Sequence, residues 1–353
     1  MRNLLADDLD HILQHTGDLW AEMRGARVFL TGGTGFVGSW LLESLLWANR
    51  RLNLGARCFV LTRAPRRFQQ TRPHLACDPA VTLVAGSASD CDFPDGEFPL
   101  LVHAATERSF PADAWRPYAT FLSDIGATAR VLEFAYRARV RRMLFTSSGA
   151  VYGSQPAGMT HIPEDYEGAP PGTDVRSAYA QGKRASEFLC ASAAGTRGFG
   201  IAIARLFAFV GPYLPLDANY AVGNFLRDVL GDGPVRVAGD GTPYRSYLYA
   251  ADLATWLWTM LLRAPSGVPF NVGSPDAVSI AELARRVVSV TSPVAEIHIA
   301  GTPVPDAPPR RYVPDTTRAE LQLGLRSWIG LDEGIRRTYR WHVRQRVAEA
   351  VCA

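Results

Sequence analysis

The stretch that decides the fold of this chain is Arg27-Val28-Phe29-Leu30-Thr31-Gly32-Gly33-Thr34-Gly35-Phe36-Val37-Gly38. Its opening apolar run predicts a short buried strand. The glycines then predict a tight turn, and from Ser39 to Leu46 apolar side chains recur at helical spacing. The stretch therefore predicts a strand, a glycine loop and a helix in direct succession.

The glycines of this loop have different expected roles. Gly32 allows the turn, Gly35 lets the backbone come close to a pyrophosphate, and Gly38 lets the helix pack against the strand. Amides at the start of the helix, where Phe36 and Val37 lie, would bind the anion. Because a strand precedes this G-x-x-G-x-x-G spacing and a helix follows it, the loop is expected to bind a dinucleotide.

Length and composition favour a globular protein with two lobes. The chain has 353 residues, of which 47% are hydrophobic, enough for a sizeable core. Its 37 basic and 34 acidic residues give a net charge of +3, too balanced to indicate nucleic acid or a membrane as a partner.

Five dispersed cysteines without ligand spacing predict reduced thiols and no metal site. The first residues resemble neither a signal nor a transit peptide, which predicts a cytoplasmic protein.

Alternating strands and helices predict a Rossmann-type α/β fold, a doubly wound parallel sheet with helices on both faces. We expect a helical extension at residues 1–25, a dinucleotide-binding domain at 26–210 and a smaller mixed substrate-binding lobe at 211–353. A strand and a helix near 250–275 are expected to return to the sheet. The predicted strands after the glycine loop are Arg57 to Leu61, Val81 to Ala85, Leu100 to Ala105, Arg142 to Thr146 and Ile201 to Phe207.

Two strand ends are expected to face the cofactor. The second strand ends in Thr62-Arg63, where an acidic residue would hold the adenosine ribose and an arginine can accommodate a 2′-phosphate. This ending favours NADP over NAD, although Arg63 could instead cover the adenine or lie in solvent. The small residues Ala104 and Ala105 after the fourth strand would let the backbone approach the cofactor.

A serine, a tyrosine and a lysine form the expected catalytic set. Ser148 follows the fifth strand, whereas Tyr179 and Lys183 are four residues apart and share one face of a predicted helix. A lysine ammonium beside a tyrosine favours the phenolate, which makes Tyr179 a plausible general base. Ser148 would then donate a hydrogen bond to a developing carbonyl, and Lys183 would hold the nicotinamide ribose.

With these motifs the chain resembles an extended short-chain dehydrogenase/reductase of the NAD-dependent epimerase/dehydratase family. Members of that family mostly modify nucleotide-activated sugars by transient oxidation, and many are homodimers. The resemblance implies NAD or NADP as cofactor and a nucleotide sugar as substrate. The matching segments are Thr31 to Gly38, His103 to Ala105, Thr146 to Gly153, Tyr179 to Lys183 and Gly239 to Asp252.

The resemblance also implies the residues that carry out the chemistry. Ser148, Tyr179 and Lys183 would be catalytic, and Arg245 would approach the substrate diphosphate, a task that suits a guanidinium. Asn224 is expected near the start of a helix of the substrate lobe. The residues expected around the substrate are Thr106, Glu107, Ser148, Gly149, Asn224 and Arg245.

Two departures from the family pattern bear on the reaction. Sugar dehydratases of the family often carry Asp-Glu after the catalytic Ser or Thr, whereas this chain has Gly149-Ala150, and neither can move a proton. Elimination of water would need another acid or base, such as Glu107 or Glu164. Ala208 stands where many relatives have a phosphate-contacting Asn, so the diphosphate could be bound differently or the substrate could be a nucleoside or another glycoside.

Several functions remain open from the sequence. A redox-neutral epimerase is the leading hypothesis because Ser148, Tyr179 and Lys183 suffice for it. An NADPH-dependent keto-sugar reductase is the second hypothesis and a dehydratase the third. A cofactor-sensing protein without turnover is the alternative outside enzymes.

Overall fold

The computed structural model describes residues 3–106, 116–218 and 220–352, with only the backbone given for 348–352. The helices are α1 (Ala6–Thr16), α2 (Phe36–Leu52), α3 (Pro65–Thr71), α4 (Pro73–Ala76), α5 (Pro117–Arg137), α6 (Ala178–Thr196), α7 (Ala221–Leu230), α8 (Ala250–Arg263), α9 (Ile280–Thr291), α10 (Thr317–Leu323) and α11 (Leu331–Cys352). The strands are β1 (Arg27–Thr31), β2 (Arg57–Thr62), β3 (Val81–Ala85), β4 (Leu100–His103), β5 (Arg142–Ser148), β6 (Gly200–Leu206), β7 (Phe209–Val210), β8 (Val235–Val237), β9 (Tyr244–Arg245), β10 (Leu248–Tyr249), β11 (Pro269–Val272), β12 (Val278–Ser279), β13 (Ile297–Ile299) and β14 (Arg311–Tyr312).

A seven-stranded parallel sheet forms the centre of the molecule. Its spatial order is β11-β6-β5-β4-β1-β2-β3, and every neighbouring pair is parallel. The chain runs outward from β1 in one direction through β2 and β3, and in the other through β4, β5 and β6. The predicted doubly wound α/β fold is therefore confirmed, and a crevice is expected at the carboxyl ends of β1 and β4, where the order reverses.

Alternating side chains of the central strands supply two separate cores. Val28 and Leu30 of β1 pack with α2 and α8 on one face of the sheet. Phe29, from the same strand, packs with α5 and α6 on the other face. Strands buried on both faces carry nearly continuous apolar runs, which is why these segments were recognisable in the sequence.

The N-terminal segment is part of the main core. Leu9 and Ile12 of α1 are fully buried, and α1 packs against α8 and α2. Asp8 accepts hydrogen bonds from the Tyr249 hydroxyl and from Arg337. The residues predicted as a helical extension therefore form a helix and a 3-10 turn that cover one face of the sheet domain.

The second lobe consists of short strands and helices beside the sheet. β8 pairs with β13, while β9 lies between β12 and β14. From this lobe the chain returns through α8 and through β11, which pairs with β6. α7 begins at Ala221, three residues before the predicted Asn224. Among the helices of the described residues, none combines the length and apolar character that a membrane crossing needs.

Candidate active site

A cleft of about 910 Å³, open to solvent, lies at the carboxyl ends of the central strands. It is lined by the glycine loop, by the ends of β2, β3 and β4, and by α5 and α6. The lining residues are Gly32, Thr34, Gly35, Leu61, Thr62, Arg63, Gly86, Ser87, Ala88, Ala104, Ala105, Thr106, Asp124, Ala127, Thr128, Lys183 and Ser186. This is the position where open parallel sheets bind their ligands.

The glycine loop has the close approaches that a dinucleotide cradle needs. A Cβ on Gly32 would lie 2.5 Å from the Ala104 carbonyl group, and one on Gly38 would lie 2.3 Å from the Gly32 carbonyl oxygen. By contrast, a Cβ on Gly35 would meet only the Gly32 carbonyl oxygen, at 3.4 Å. Protein packing thus requires glycine at Gly32 and Gly38, whereas the open space at Gly35 fits a ligand pyrophosphate.

The amide end of α2 lies beside this loop. Gly35 is the N-cap of α2 and lines the cleft, so the unpaired amides of the first turn are at the site. The side chains of Phe36 and Val37, predicted near the cofactor, are half-buried and do not line the cleft. Phe36 instead stacks on Phe209, with ring centres 6.4 Å apart, so these two residues can contribute through their amides.

The end of β2 presents a threonine and an arginine to the cleft. Thr62 is buried, and its hydroxyl accepts a hydrogen bond from the Ala64 amide at 3.2 Å. Arg63 is exposed and lines the cleft. Among the lining residues that the structure describes, no carboxylate lies at this end, where an acid would hold an adenosine ribose.

The end of β4 is anchored to β1. The Ala104 amide donates to the Thr31 carbonyl at 3.2 Å, and the Ala105 amide donates to the Thr31 hydroxyl at 3.0 Å. Thr106 continues along the cleft, and its hydroxyl lies 3.5 Å from an Asp124 carboxylate oxygen. Glu107, predicted near the substrate, lies outside the described residues.

A buried histidine lies directly under this strand end. His103 Nδ1 is 2.8 Å from the Thr31 hydroxyl, and Nε2 is 3.2 Å from the Thr128 hydroxyl. Thr128 in turn donates to the Asp124 carbonyl at 2.8 Å. Burial, together with the charge of Lys183, lowers the pKa of His103 to about 3. The imidazole is therefore neutral at physiological pH and fixes the strand end without moving protons.

Lys183 and Tyr179 lie one turn apart on α6, next to the end of β5. Lys183 is 3% exposed, and its Nζ donates to the Thr146 carbonyl at 2.9 Å. The same Nζ is 6.0 Å from the centre of the half-buried Tyr179 ring. No carboxylate of the described residues lies within ion-pair distance of Lys183, which lines the cleft.

Ser148 ends β5 and opens a 3-10 turn that α6 packs against. Its hydroxyl oxygen accepts from the Ala150 amide at 3.2 Å. Gly149 is confined, because a Cβ there would lie 2.7 Å from both the Phe207 ring and the Tyr312 hydroxyl oxygen. A larger side chain, such as the acid of a dehydratase, does not fit at position 149 without moving these rings.

The residues predicted for the substrate in the second lobe do not line this cleft. Arg245 lies on β9, with its guanidinium 5.6 Å above the Tyr312 ring, and forms no ion pair with a described carboxylate. Since the Tyr312 hydroxyl reaches Gly149, Arg245 lies on the Gly149 side of the site. Asn224 lies within α7, 3.4 Å from Arg227.

Glu164, a candidate acid for elimination, lies in the protein interior away from the cleft. It is 8% exposed, and its carboxylate accepts from the Asn271 amide at 2.9 Å and lies 3.7 Å from Arg318. Burial raises its pKa. These contacts assign Glu164 to holding β11 in place.

Sequence reasoning missed several lining residues. Gly86, Ser87 and Ala88 follow β3, and the rule that ligands bind beyond strand carboxyl ends would have found them. Asp124 and Ser186 line the cleft from α5 and α6, and no local sequence pattern marks helix residues that face a crevice. Within the described ranges, no three His, Cys, Asp or Glu side chains form a group suited to a metal.

Comparison with known proteins gives one family. The model of the NAD dependent epimerase/dehydratase family matches residues 28–273. UDP-glucuronic acid decarboxylase 1 of Arabidopsis thaliana is 30% identical over 312 residues, which cover 88% of this chain and 68% of the relative.

Solved structures share the fold. An epimerase from Methanothermobacter thermautotrophicus matches with a TM-score of 0.77 and 22% identity, over 95% of this chain and 97% of the other. UDP-glucose 4-epimerase from Thermotoga maritima, solved with UDP-glucose, matches with a TM-score of 0.75 and 19% identity, over 90% and 99%. dTDP-glucose 4,6-dehydratase from Bacillus anthracis, solved with NAD, matches with a TM-score of 0.73 and 16% identity, over 90% and 97%.

Proposed function

Because this chain belongs to the NAD-dependent epimerase/dehydratase family, we propose that it oxidises a hydroxyl of a nucleotide sugar to a transient ketone in a redox-neutral epimerisation. The observation that carries the proposal is the position of Lys183, buried at the cleft beside Tyr179. The family and the fold alone would also accommodate other reactions.

The residues divide the chemistry among them. The bound nicotinamide would accept a hydride from the sugar carbon and return it. Tyr179 removes the proton of the sugar hydroxyl, and the Lys183 ammonium stabilises the phenolate that does so. Ser148 donates a hydrogen bond to the oxygen that becomes the carbonyl. Rotation of the ketone before hydride return would invert the carbon.

The packing at Gly149 favours epimerisation over the ordinary dehydratase reaction. Eliminating water needs an acid and a base in addition to the tyrosine. Phe207 and Tyr312 leave no space for a side chain at position 149, and Ala150 has no ionisable group. Among the described cleft residues, Asp124 is the only acid, so it is the remaining candidate for an elimination.

A keto-sugar reductase is the second candidate, and the end of β2 favours it. Arg63 lines the cleft at this strand end, and an arginine there can accommodate the 2′-phosphate of NADPH, the cofactor of a net reduction. Mass spectrometry of nucleotide released from the denatured protein separates the two. Stoichiometric NAD or NADP carried through purification supports internal recycling, whereas an empty protein that consumes added NADPH supports the reductase.

Two arginines lie together in the small sheet of the second lobe. Arg245 and Arg311 lie on adjacent strands of the small sheet, and neither forms an ion pair with a described carboxylate. Two such guanidinium groups suit a diphosphate, which binds arginine bidentately. Ala208 has no side-chain amide, so it cannot make the phosphate contact that an Asn makes at this position in the family pattern. Arg245 and Arg311 would bind the diphosphate instead, and Asn224 of α7 would contribute to the same substrate site.

A homodimer in the cytoplasm is the expected form. Tyr118 and Leu122 of α5 are 77% and 48% exposed, and Phe188 of α6 is 73% exposed, on two helices that pack side by side. A second copy would cover these apolar side chains. The described cysteines, Cys58, Cys77, Cys91 and Cys190, are all free thiols, as expected in a reducing compartment. Light scattering measures the subunit count.

A substrate panel tests the proposed reaction. Protein supplied with NAD or NADP is incubated with UDP-glucose, UDP-glucuronic acid and dTDP-glucose, and products are analysed by mass spectrometry and NMR. Unchanged mass with inverted stereochemistry supports the epimerase. Loss of water identifies a dehydratase, and loss of two hydrogens with formation of NADH or NADPH identifies the reverse reaction of a keto-sugar reductase.

The panel includes UDP-glucuronic acid because the Arabidopsis relative is a UDP-glucuronic acid decarboxylase. A ketone at C4 is β to the C6 carboxylate, so carbon dioxide can leave without an acid at positions 149 and 150. Loss of carbon dioxide would replace epimerisation as the net reaction but keep the oxidation step. A protein that binds the dinucleotide but converts no sugar in an extended panel would contradict the enzymatic account and favour cofactor sensing.

A further inference from the structure

A half-buried tyrosine has an unusual backbone conformation in the segment that leads from β7 to α7. Tyr213 has a φ of +71°, in the left-handed region that glycine adopts freely and that is strained for an aromatic residue. Strain of this kind persists only where the surrounding structure holds the residue in place. The contacts of the Tyr213 side chain therefore indicate what this tyrosine does.

The Tyr213 side chain reaches a buried carboxylate on α2. Its hydroxyl donates to Glu43 Oε1 at 2.5 Å, and His74 Nε2 lies 2.8 Å from the same oxygen. Glu43 is 2% exposed. Burial, together with Glu43, raises the pKa of the Tyr213 hydroxyl, which therefore keeps its proton and donates it. Trp341 of α11 packs against the same ring, with the ring centres 4.9 Å apart, so the ring is held in one position.

The Tyr213 ring supports Arg72, which joins α3 to α4. The guanidinium carbon lies 4.5 Å from the ring centre, within the range of a cation–π contact. Arg72 Nη1 donates to the Thr34 carbonyl at 3.2 Å and also to the Ser39 hydroxyl. The Ser39 hydroxyl in turn donates to the Gly35 carbonyl at 2.6 Å. Two carbonyl groups of the glycine loop are thus bound by protein donors that Tyr213 holds in place.

These hydrogen bonds affect what the glycine loop presents to the cleft. Thr34 and Gly35 line the cleft, and a carbonyl oxygen that faced it would repel a pyrophosphate. While Arg72 and Ser39 bind these carbonyls, the amides at the start of α2 are left for the anion. Tyr213 does not line the cleft, so its effect on a ligand there is exerted through Arg72.

We propose that Tyr213 and Arg72 are positioning residues that hold the glycine loop in the conformation that binds a dinucleotide. The inference rests on the proposed function, since it assumes that a dinucleotide occupies the cleft. It goes further by making the affinity for that dinucleotide depend on a side chain in the segment that leads into the second lobe. The claim concerns the pyrophosphate and applies equally to NAD and NADP.

The test measures the affinity of the full chain for NAD and NADP by calorimetry, without turnover. Arg72→Gln removes the charged donor to the Thr34 carbonyl and should weaken the binding of both dinucleotides by about tenfold. Tyr213→Leu removes the ring under the guanidinium and should weaken binding by a similar factor. Tyr213→Phe keeps that ring and should stay within about threefold of wild type.

A double variant separates positioning from general destabilisation. Because Tyr213 acts through Arg72, Tyr213→Leu should weaken binding no further once Arg72→Gln is present. If Tyr213→Leu does not fold, Tyr213→Gly makes the same comparison, since glycine relieves the backbone strain at this position.

Arg142→Gln is the matched control. Arg142 also donates to backbone carbonyls, those of Leu261 at 2.7 Å and Ala264 at 2.5 Å. It begins β5, so it lies at the sheet edge opposite the cleft. Urea unfolding of both arginine variants shows how much stability each loses. Arg142→Gln should leave the affinity for both dinucleotides within about twofold of wild type.

Different failures contradict different claims. Wild-type affinity in folded Arg72→Gln, or an equal loss in Arg142→Gln, would overturn the role of Arg72 in positioning the loop. Wild-type affinity in Tyr213→Leu, or a double variant in which the two losses multiply, would overturn the role of Tyr213. Failure of the wild-type protein to bind either dinucleotide would contradict the proposed function itself.

Discussion

At the scale of single residues, the candidate site is built around one buried lysine, whose position is fixed by a hydrogen bond. Lys183 is anchored by the Thr146 carbonyl and lies at contact range of the Phe145 ring, at 5.0 Å from its centre. The same cation contributes to the low pKa of His103. Lys183 thus lies between a histidine that stays neutral and the ring of Tyr179, whose centre is 6.0 Å from Nζ.

His103 leads to a prediction about acid stability. Its pKa is about 3 in the folded protein and about 6.5 in an unfolded chain. As the pH falls below about 6.5, His103 binds a proton in the unfolded state but not in the folded state. The free energy of unfolding therefore decreases as the pH falls. The loss from this residue is about 2 kcal/mol between pH 6.5 and pH 5.

Urea unfolding of wild type and His103→Gln at pH 7 and pH 5 measures this effect. The glutamine keeps a polar side chain near Thr31 and Thr128 but does not titrate. The loss of unfolding free energy on acidification should be smaller in the variant by about 2 kcal/mol. Equal losses in both proteins would show that His103 is not held neutral. His342, whose pKa is lowered to about 4 by burial and by Arg346, contributes equally to both and cancels.

At the scale of elements, the contact between the glycine loop and α2 fixes the cradle. Gly38→Ala would place a Cβ 2.3 Å from the Gly32 carbonyl oxygen and 2.4 Å from the Gly33 Cα. Both contacts are with backbone, so α2 must move away from the loop. We expect a loss of about 1–3 kcal/mol of stability and a loss of dinucleotide affinity of at least about tenfold, measured by calorimetry.

Gly126→Ala is the matched control, since Gly126 is an exposed helix residue whose added Cβ would meet nothing within 4 Å. That substitution should raise the unfolding free energy by about 0.5–1 kcal/mol and leave dinucleotide binding unchanged. Wild-type affinity in Gly38→Ala would contradict the role given to the loop.

The N-terminal helix α1 is predicted to stabilise the whole domain. Leu9 is fully buried against the core that includes α8, so Leu9→Ala should lower the unfolding free energy by about 2–5 kcal/mol. Leu4→Ala, at a leucine that is 43% exposed, should change it by less than about 1 kcal/mol. Urea denaturation measures both, and equal effects would mean that α1 packs differently.

The elements differ in how far the sequence predicts them. Strands such as β1 and β4 are buried on both faces, so their apolar runs could be read directly. β9, β12 and β14 have two residues each, too few to show a period. The bond between Asp8 and Tyr249 joins residues 241 apart in sequence, and no local pattern reports such a contact.

At the scale of the whole molecule, the topology explains why the site could be predicted better than the substrate. Strands β1 to β6 deliver their carboxyl ends to one edge, so Gly32, Arg63 and Ala104 could be assigned to one cleft from their places after these strands. The second lobe is built from short strands that pair across long separations. The contacts proposed between this lobe and a substrate therefore have no signature in the sequence, and Arg245 could be named only by resemblance.

The central claim is that Tyr179 transfers the proton that accompanies oxidation of the sugar. The most direct measurement is a single turnover of Tyr179→Phe beside wild type, with the substrate that the panel identifies and with dinucleotide affinity measured on the same preparations. We expect unchanged affinity for the cofactor and a rate of sugar oxidation lower by about 10²–10⁴-fold. A variant that binds cofactor and oxidises the sugar at the wild-type rate would contradict it.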